Sequence, residues 1–215
     1  MILYYEVIKN FERLIVCRIV GLWDFKKRHI DLADIITQMR DTLSHGGPDD
    51  AGIYIDKDEH LALGHRRLSV IDLSYFGHQP MANDNMTLWI VYNGEVYNFG
   101  DIRSELSGKG CKFKSNSDTE VILKAFEIWG LDAVNKFNGM FAFAIWNSKE
   151  KELILCRDRI GVKPLYWYYE DGLFMFSSEP KAIYKHPDFR REFNEEALVL
   201  YMKYGYIPSP LSIFS

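Results

Sequence analysis

The close spacing of β-rich runs constrains this chain more than any other feature. Runs dense in β-branched and aromatic residues occur at Ala51–Ile55, Leu61–Leu68 and Thr87–Tyr97, and again at Met140–Trp146, Glu152–Cys156, Leu165–Tyr169 and Leu173–Phe176. Polar or glycine-containing turns separate the runs of the second group. Connections this short suit antiparallel pairing, because a parallel return needs a crossover of roughly a dozen residues or more. Asn93-Gly94, inside the Thr87–Tyr97 run, is the commonest short hairpin signal and predicts a turn there. A further strand, Cys17–Phe25, comes before the polar stretch Lys26–His29.

Helical segments are interleaved with these runs. From Asp31 the apolar positions Leu32, Ile35, Ile36, Met39 and Leu43 recur at three- and four-residue intervals until Gly46, Gly47 and Pro48 stop the pattern. Asp101–Leu106, Asp118–Trp129 and Phe193–Tyr204 also carry helical periodicity. Ser117 stands three residues before Glu120, the spacing of a capping box, and Gly130 ends that helix. The pattern predicts an α+β layered architecture. By itself it does not distinguish one sheet from two.

Composition narrows the function classes. The 215 residues are 47% hydrophobic and 26% charged with only 7 Pro, as in a folded globular protein of one domain. A formal charge of -4 leaves no broad basic footprint for nucleic acid or an anionic membrane, so a small-molecule ligand is expected. Leu14–Trp23, the longest apolar stretch near the start, is interrupted by Arg18 and is about half the roughly 20 residues of a membrane span. Cys17, Cys111 and Cys156 are odd in number and widely spaced, which fits neither a disulfide framework nor a zinc site. With no secretory pattern in the first thirteen residues, a cytoplasmic location is expected.

Taken alone, Cys17 reads as a small residue in an apolar strand. Its companions change that reading. Cys17-Arg-Ile-Val-Gly-Leu-Trp-Asp-Phe25, His45-Gly-Gly-Pro-Asp-Asp50, Gly64-His-Arg-Arg-Leu-Ser-Val-Ile-Asp72 and Tyr92-Asn-Gly-Glu-Val-Tyr-Asn98 are followed by Ser117-Asp-Thr-Glu-Val121, Asn138-Gly-Met-Phe-Ala-Phe143, Arg157-Asp-Arg-Ile-Gly-Val-Lys-Pro-Leu-Tyr166 and Ser178-Glu-Pro-Lys-Ala182. In order and spacing these segments resemble class II glutamine amidotransferase domains, specifically the glutaminase half of glutamine-hydrolysing asparagine synthetases. The resemblance implies an N-terminal nucleophile hydrolase fold, a four-layer αββα sandwich of two antiparallel sheets. It also implies hydrolysis of L-glutamine through a cysteine thioester.

By the same resemblance, Cys17 is the nucleophile, and Asn93 and Gly94 form the oxyanion hole. Arg67 binds the glutamine α-carboxylate, with Leu68, Ser69, Val70 and Ile71 lining the pocket. Glu95 and Asp118 receive the α-ammonium. Read without the family, Asn93-Gly94 would be only a turn, Arg67 a surface arginine and Asp118 a helix-start residue. No metal or cofactor is implied here, whereas ATP and Mg are expected for a synthetase domain, the implied partner in cis or as a separate chain. A homodimer is compatible with the resemblance.

The chain also departs from the family pattern. Residues 1–16 precede Cys17 and are expected to be an atypical extension, so the Cys17 nitrogen is an amide rather than the basic amine the family uses. Arg18 replaces a glycine, and Gly46 replaces the arginine of His-Arg-Gly-Pro. The expected organisation is a glutaminase domain over 17–190 and, over 191–215, the start of a truncated synthetase domain. The favoured origin of the extension is true initiation at Val16. A removable propeptide and a chain that no longer hydrolyses glutamine are the alternatives. The competing functions are a catalytically silent glutamine-binding or scaffold domain and an amidotransferase for another acceptor, such as a sugar intermediate.

Overall fold

The computed structural model describes residues 16–69, 75–208 and 211–214. The first sheet contains β1 (Arg18–Asp24), β2 (Asp50–Asp56), β3 (Leu61–Arg67), β8 (Tyr166–Glu170) and β9 (Leu173–Ser177), in the order β2-β3-β1-β9-β8. The second contains β4 (Met81–Ala82), β5 (Leu88–Val96), β6 (Gly139–Asn147) and β7 (Glu152–Arg157), in the order β4-β5-β6-β7. Every pairing is antiparallel. Strand β1 is central: Val20 lies opposite Gly64 of β3 on one side and Ser177 of β9 on the other.

The period of two along each strand sorts its side chains into two cores. Ile19 of β1, Leu61 and Leu63 of β3 and Phe176 of β9 meet Val91 of β5 and Ala142, Ala144 and Trp146 of β6 between the sheets. On the outer face of the first sheet, Val20, Leu22 and Ala62 pack against helix α1 (Leu32–Asp41) through Ile36, Met39 and the following Leu43. On the outer face of the second, Ile90, Tyr92, Phe141, Phe143 and Ile145 pack against helices α2 (Phe99–Gly108) and α3 (Asp118–Trp129). The result is the expected helix–sheet–sheet–helix sandwich. Truncating a fully buried side chain such as Ile36 to alanine would cost about 2–5 kcal/mol.

Local chemistry sets the helix ends. The Asp31 carboxylate accepts from Ala33 N at 3.0 Å and Asp34 N at 3.1 Å, capping α1. Gly130 after α3 has φ 56°, a positive value that glycine adopts without a Cβ penalty. The predicted capping box at Ser117 is only half formed. Ser117 Oγ accepts from Thr119 N at 3.1 Å, but the Glu120 carboxylate reaches Ser115 N at 2.7 Å and Lys114 N at 2.9 Å instead. It therefore ties down the preceding loop. Two short elements complete the chain: helix α4 (Pro180–Ile183) follows β9, and α5 (Glu195–Tyr204) begins after its cap Asn194, two residues later than the periodicity predicts. Phe193 instead bridges to Phe214.

One sequence expectation is overturned. Asn93-Gly94 is not a turn but lies within the continuous strand β5, where Asn93 pairs with Ala142 and Gly94 with Phe141. The glycine is needed for close approach rather than for a turn. A Cβ at position 94 would sit 2.3 Å from Met140 O and 2.6 Å from Phe141 Cα. Among the described residues no helix is long and apolar enough to cross a membrane.

Candidate active site

Cys17 immediately precedes β1, so the central strand delivers it to the mouth of the cleft between the sheets. Its Sγ accepts from Leu68 N at 3.3 Å and lies 3.6 Å from Leu68 O, just past the end of β3. Burial pushes the thiol up, whereas the Leu68 N–H and the nearby Arg67 guanidinium pull it down, and burial prevails. A thiol in this state needs a base to react. With the Val16–Cys17 peptide bond intact, the Cys17 nitrogen is an amide and has no proton affinity to offer.

Strand β5 supplies the opposite wall. Asn93 shares the inward face with Val91 and is fully buried, yet neither its Nδ2 nor its Oδ1 has a partner among the described residues. A buried amide unpaired on both atoms is costly unless a ligand completes it. Gly94 contributes backbone. β4 pairs only with Trp89 and Ile90, leaving that edge of β5 open further along. On this edge Tyr92 N donates to Gln79 Oε1 at 2.7 Å and Val96 N donates to Asp118 Oδ2 at 3.1 Å. Alternation then places Gly94 N–H between them, on the same edge and towards the cleft. Asn93 Nδ2 and Gly94 N–H are thus adjacent donors beside Cys17.

The cleft, about 190 Å³, is lined by two cationic side chains, Arg67 and Lys163, and two carboxylates, Glu95 and Asp118. The Arg67 guanidinium rests on Gly77, where a Cβ would fall 2.1 Å from Nη2. Asp118, 3% exposed at the start of α3, accepts from Tyr92 OH at 2.6 Å as well as from Val96 N. Burial raises its carboxyl above the usual range, opposed by these hydrogen bonds. Gln79 links the two walls, its Nε2 donating to Thr119 Oγ1 at 3.2 Å.

The profile of a family described as the glutamine amidotransferase domain matches residues 16–215. The chain belongs to that family. It is 43% identical over 185 residues to glutamine-hydrolyzing asparagine synthetase 3 of Bacillus subtilis (strain 168), covering 85% of this chain and 30% of that protein. It is 35% identical over 169 residues to glutamine-hydrolyzing asparagine synthetase B of Escherichia coli (strain K12), covering 78% of this chain and 30% of that protein. The chain therefore spans about a third of the length of these curated relatives. Among solved structures, the glutamine phosphoribosylpyrophosphate amidotransferase of B. subtilis superposes with a TM-score of 0.66 at 23% identity, over 78% of this chain and 43% of that one. That likeness shows the shared sandwich fold.

Within this amidotransferase domain the structure gathers Cys17, Arg67, Leu68, Asn93, Gly94, Glu95 and Asp118 around one cleft. Ser69 does not line it, and its N–H is donated to Asp49 Oδ2 at 2.8 Å. Val70 and Ile71 lie outside the described residues. Sequence reasoning missed Gln79, Tyr92 and Lys163. Lys163 is 6% exposed and lines the cleft near Cys17, with burial and the Arg18 guanidinium holding its ammonium below the ordinary lysine range. Tyr92 and Lys163 both sit inside motifs quoted above, which is the signal that could have singled them out. No such signal marks Gln79. Among the described residues no group of three or more His, Cys, Asp or Glu side chains gathers to hold a metal ion.

Proposed function

We propose that this domain hydrolyses L-glutamine to glutamate and ammonia with Cys17 as nucleophile, and passes the ammonia to a synthetase region for asparagine formation. The observation that carries the reading is the convergence of Cys17 Sγ with the unpaired Asn93 amide in one cleft whose sides hold Arg67 and Asp118. The guanidinium suits a carboxylate and the acidic side chains suit an ammonium, the two charges that a free α-amino acid carries on its α-carbon. The side-chain amide is then left to face Cys17.

In this reaction Sγ attacks the glutamine Cδ while the thiol proton leaves to a base. The oxygen that gains charge is received by Asn93 Nδ2 and Gly94 N–H. Collapse transfers the proton to the departing nitrogen, expels ammonia and leaves a γ-glutamyl thioester on Cys17, which water cleaves to glutamate and free thiol. The base is the Cys17 α-amine, released when the bond to Val16 is broken. Its pKa of about 7.7–8.0 keeps a useful fraction unprotonated near neutrality. ATP and Mg serve the synthetase region, in cis or on a separate chain, and a homodimer in the cytoplasm is part of the same proposal.

The test compares the chain as given with one beginning at Cys17, each with its Cys17→Ala variant, for glutamate and ammonia released from glutamine. Equal yields of both products from the chain beginning at Cys17, lost in the alanine variant, are expected. Glutamine binding by that chain without ammonia release would instead establish the silent binding domain.

A further inference from the structure

Two departures from the family pattern, Arg18 and Gly46, meet in space. Gly46 follows α1 at a buried position, and a Cβ built there would lie 2.7 Å from Arg18 Cγ, 2.9 Å from Nε and 3.0 Å from Cζ. Contacts this short with the inner atoms of a side chain cannot be relieved by moving its tip, so the arginine fits only because residue 46 has no side chain. The guanidinium laid over Gly46 is fixed at both ends. Arg18 Nε donates to Glu179 Oε1 at 2.8 Å, and Nη1 donates to Val16 O at 2.8 Å and to Cys17 O at 3.2 Å. Glu179 is itself held by His45 Nε2 at 2.8 Å and Lys181 Nζ at 3.0 Å. One planar group therefore ties both carbonyls flanking the nucleophile's α-carbon to an anchored carboxylate.

We propose that Arg18 is the positioning residue for Cys17, that Gly46 is the recess admitting it, and that the two substitutions are a single exchange. The guanidinium arrives from residue 18 instead of residue 46. A large charged residue beside the nucleophile then preserves the catalytic end of β1 rather than disrupting it. By fixing the Cys17 carbonyl, Arg18 holds Sγ within reach of the Leu68 N–H, a hydrogen bond that the thiolate keeps. The bond to Cys17 O survives scission of the Val16–Cys17 peptide, so the clamp serves either form of the chain.

The inference builds on the glutaminase reading, and its test does not depend on it. In the full chain, Cys17 alkylation by iodoacetamide is followed against pH by peptide mass spectrometry, alongside the melting temperature, for R18G, G46A and R18G/G46R. Both single variants are expected to move the alkylation midpoint up by about one pH unit, a roughly tenfold slower reaction near neutrality, since each removes or displaces the guanidinium. R18G/G46R is expected to return the midpoint to the parent value. In whichever form hydrolyses glutamine, kcat falls in the single variants while KM stays near the parent. An unchanged midpoint in either folded single variant overturns the proposal, as does a folded R18G/G46R that keeps the shifted midpoint. Should no form hydrolyse glutamine, the glutaminase reading fails while the alkylation result still decides this one.

Discussion

His65 offers a direct measurement of the coupling between the two sheets. It lies on β3, is 1% exposed, and its Nε2 sits 3.0 Å from Tyr92 O on β5, immediately before Asn93. Nδ1 has no partner among the described residues, so the neutral ring donates through Nε2 and a second proton would be stranded. Burial lowers its pKa from 6.5 to about 4. A histidine depressed in this way favours the folded state fully above its unfolded pKa. Below that value the unfolded chain takes up the proton first, and the contribution drains away as pH falls towards the folded pKa. Linkage with these two values makes the loss between pH 7.5 and pH 5.0 about 2 kcal/mol, a large share of a typical domain's stability. His186, also lowered by burial, loses its contribution in the same window, and comparison with a His65 variant cancels it. Glu179 and Asp84, each held at about 2, lose their contributions only below the unfolded carboxylate range. Urea unfolding of the parent and His65→Gln, whose amide keeps a donor for Tyr92 O, checks the figure at both pH values. The parent should lose about 2 kcal/mol more than the variant on acidification. Equal losses in the two proteins would refute the assignment of a buried neutral imidazole.

The site supports three further predictions. Asn93→Ala, which removes one of two adjacent donors, should lower kcat about 10²–10³-fold with little change in melting temperature, measured as ammonia release. Gly77→Ala would place a Cβ 2.1 Å from Arg67 Nη2 and should displace the guanidinium, raising KM for glutamine about tenfold or more while kcat changes little. An unchanged KM would mean Arg67 does not read the α-carboxylate. Tyr92→Phe deletes the hydroxyl that donates to Asp118 at 2.6 Å, leaving a buried carboxylate one partner short, and should cost about 1–3 kcal/mol in urea unfolding.

Much of the fold was legible because strand and helix periods differ. The β-branched and aromatic runs of β5 and β6 and the recurrence of Leu32, Ile36 and Met39 are local signals, and the structure keeps all of them within two or three residues. The sheet assignment is not local. β1 pairs with β9, more than 150 residues later, because both present apolar side chains on two faces, a property that names no partner. The Asn93-Gly94 turn failed for a related reason. The dipeptide's intrinsic preference for a hairpin is overridden by pairing with Ala142 and Phe141 on a strand some fifty residues away. In the site, Cys17, Arg67 and Asp118 were found through their motifs. Gln79 was not, because its role of bridging Tyr92 N to Thr119 exists only once β5 and α3 are in place.

What the motifs could not convey is how much of the site depends on missing side chains. At Gly46 a Cβ would displace Arg18, at Gly77 it would displace Arg67, and at Gly94 it would strike the backbone of β6. These three positions respectively back the Cys17 carbonyl, the Arg67 guanidinium and the Gly94 N–H, which in the proposed reaction belong to the nucleophile, the carboxylate-reading cation and an oxyanion donor. The first two differ from the third in what can give way. At 46 and 77 the obstructed group is a functional arginine side chain, so a methyl group there should leave the sandwich folded and move its chemistry. At 94 the obstructed atoms are backbone, Met140 O and Phe141 Cα, and the β5–β6 ladder itself must shift. Gly94→Ala should therefore lose stability and activity together, whereas Gly46→Ala and Gly77→Ala should separate them. A Gly94→Ala protein with parental melting temperature would show that β5 and β6 approach less closely than this register requires.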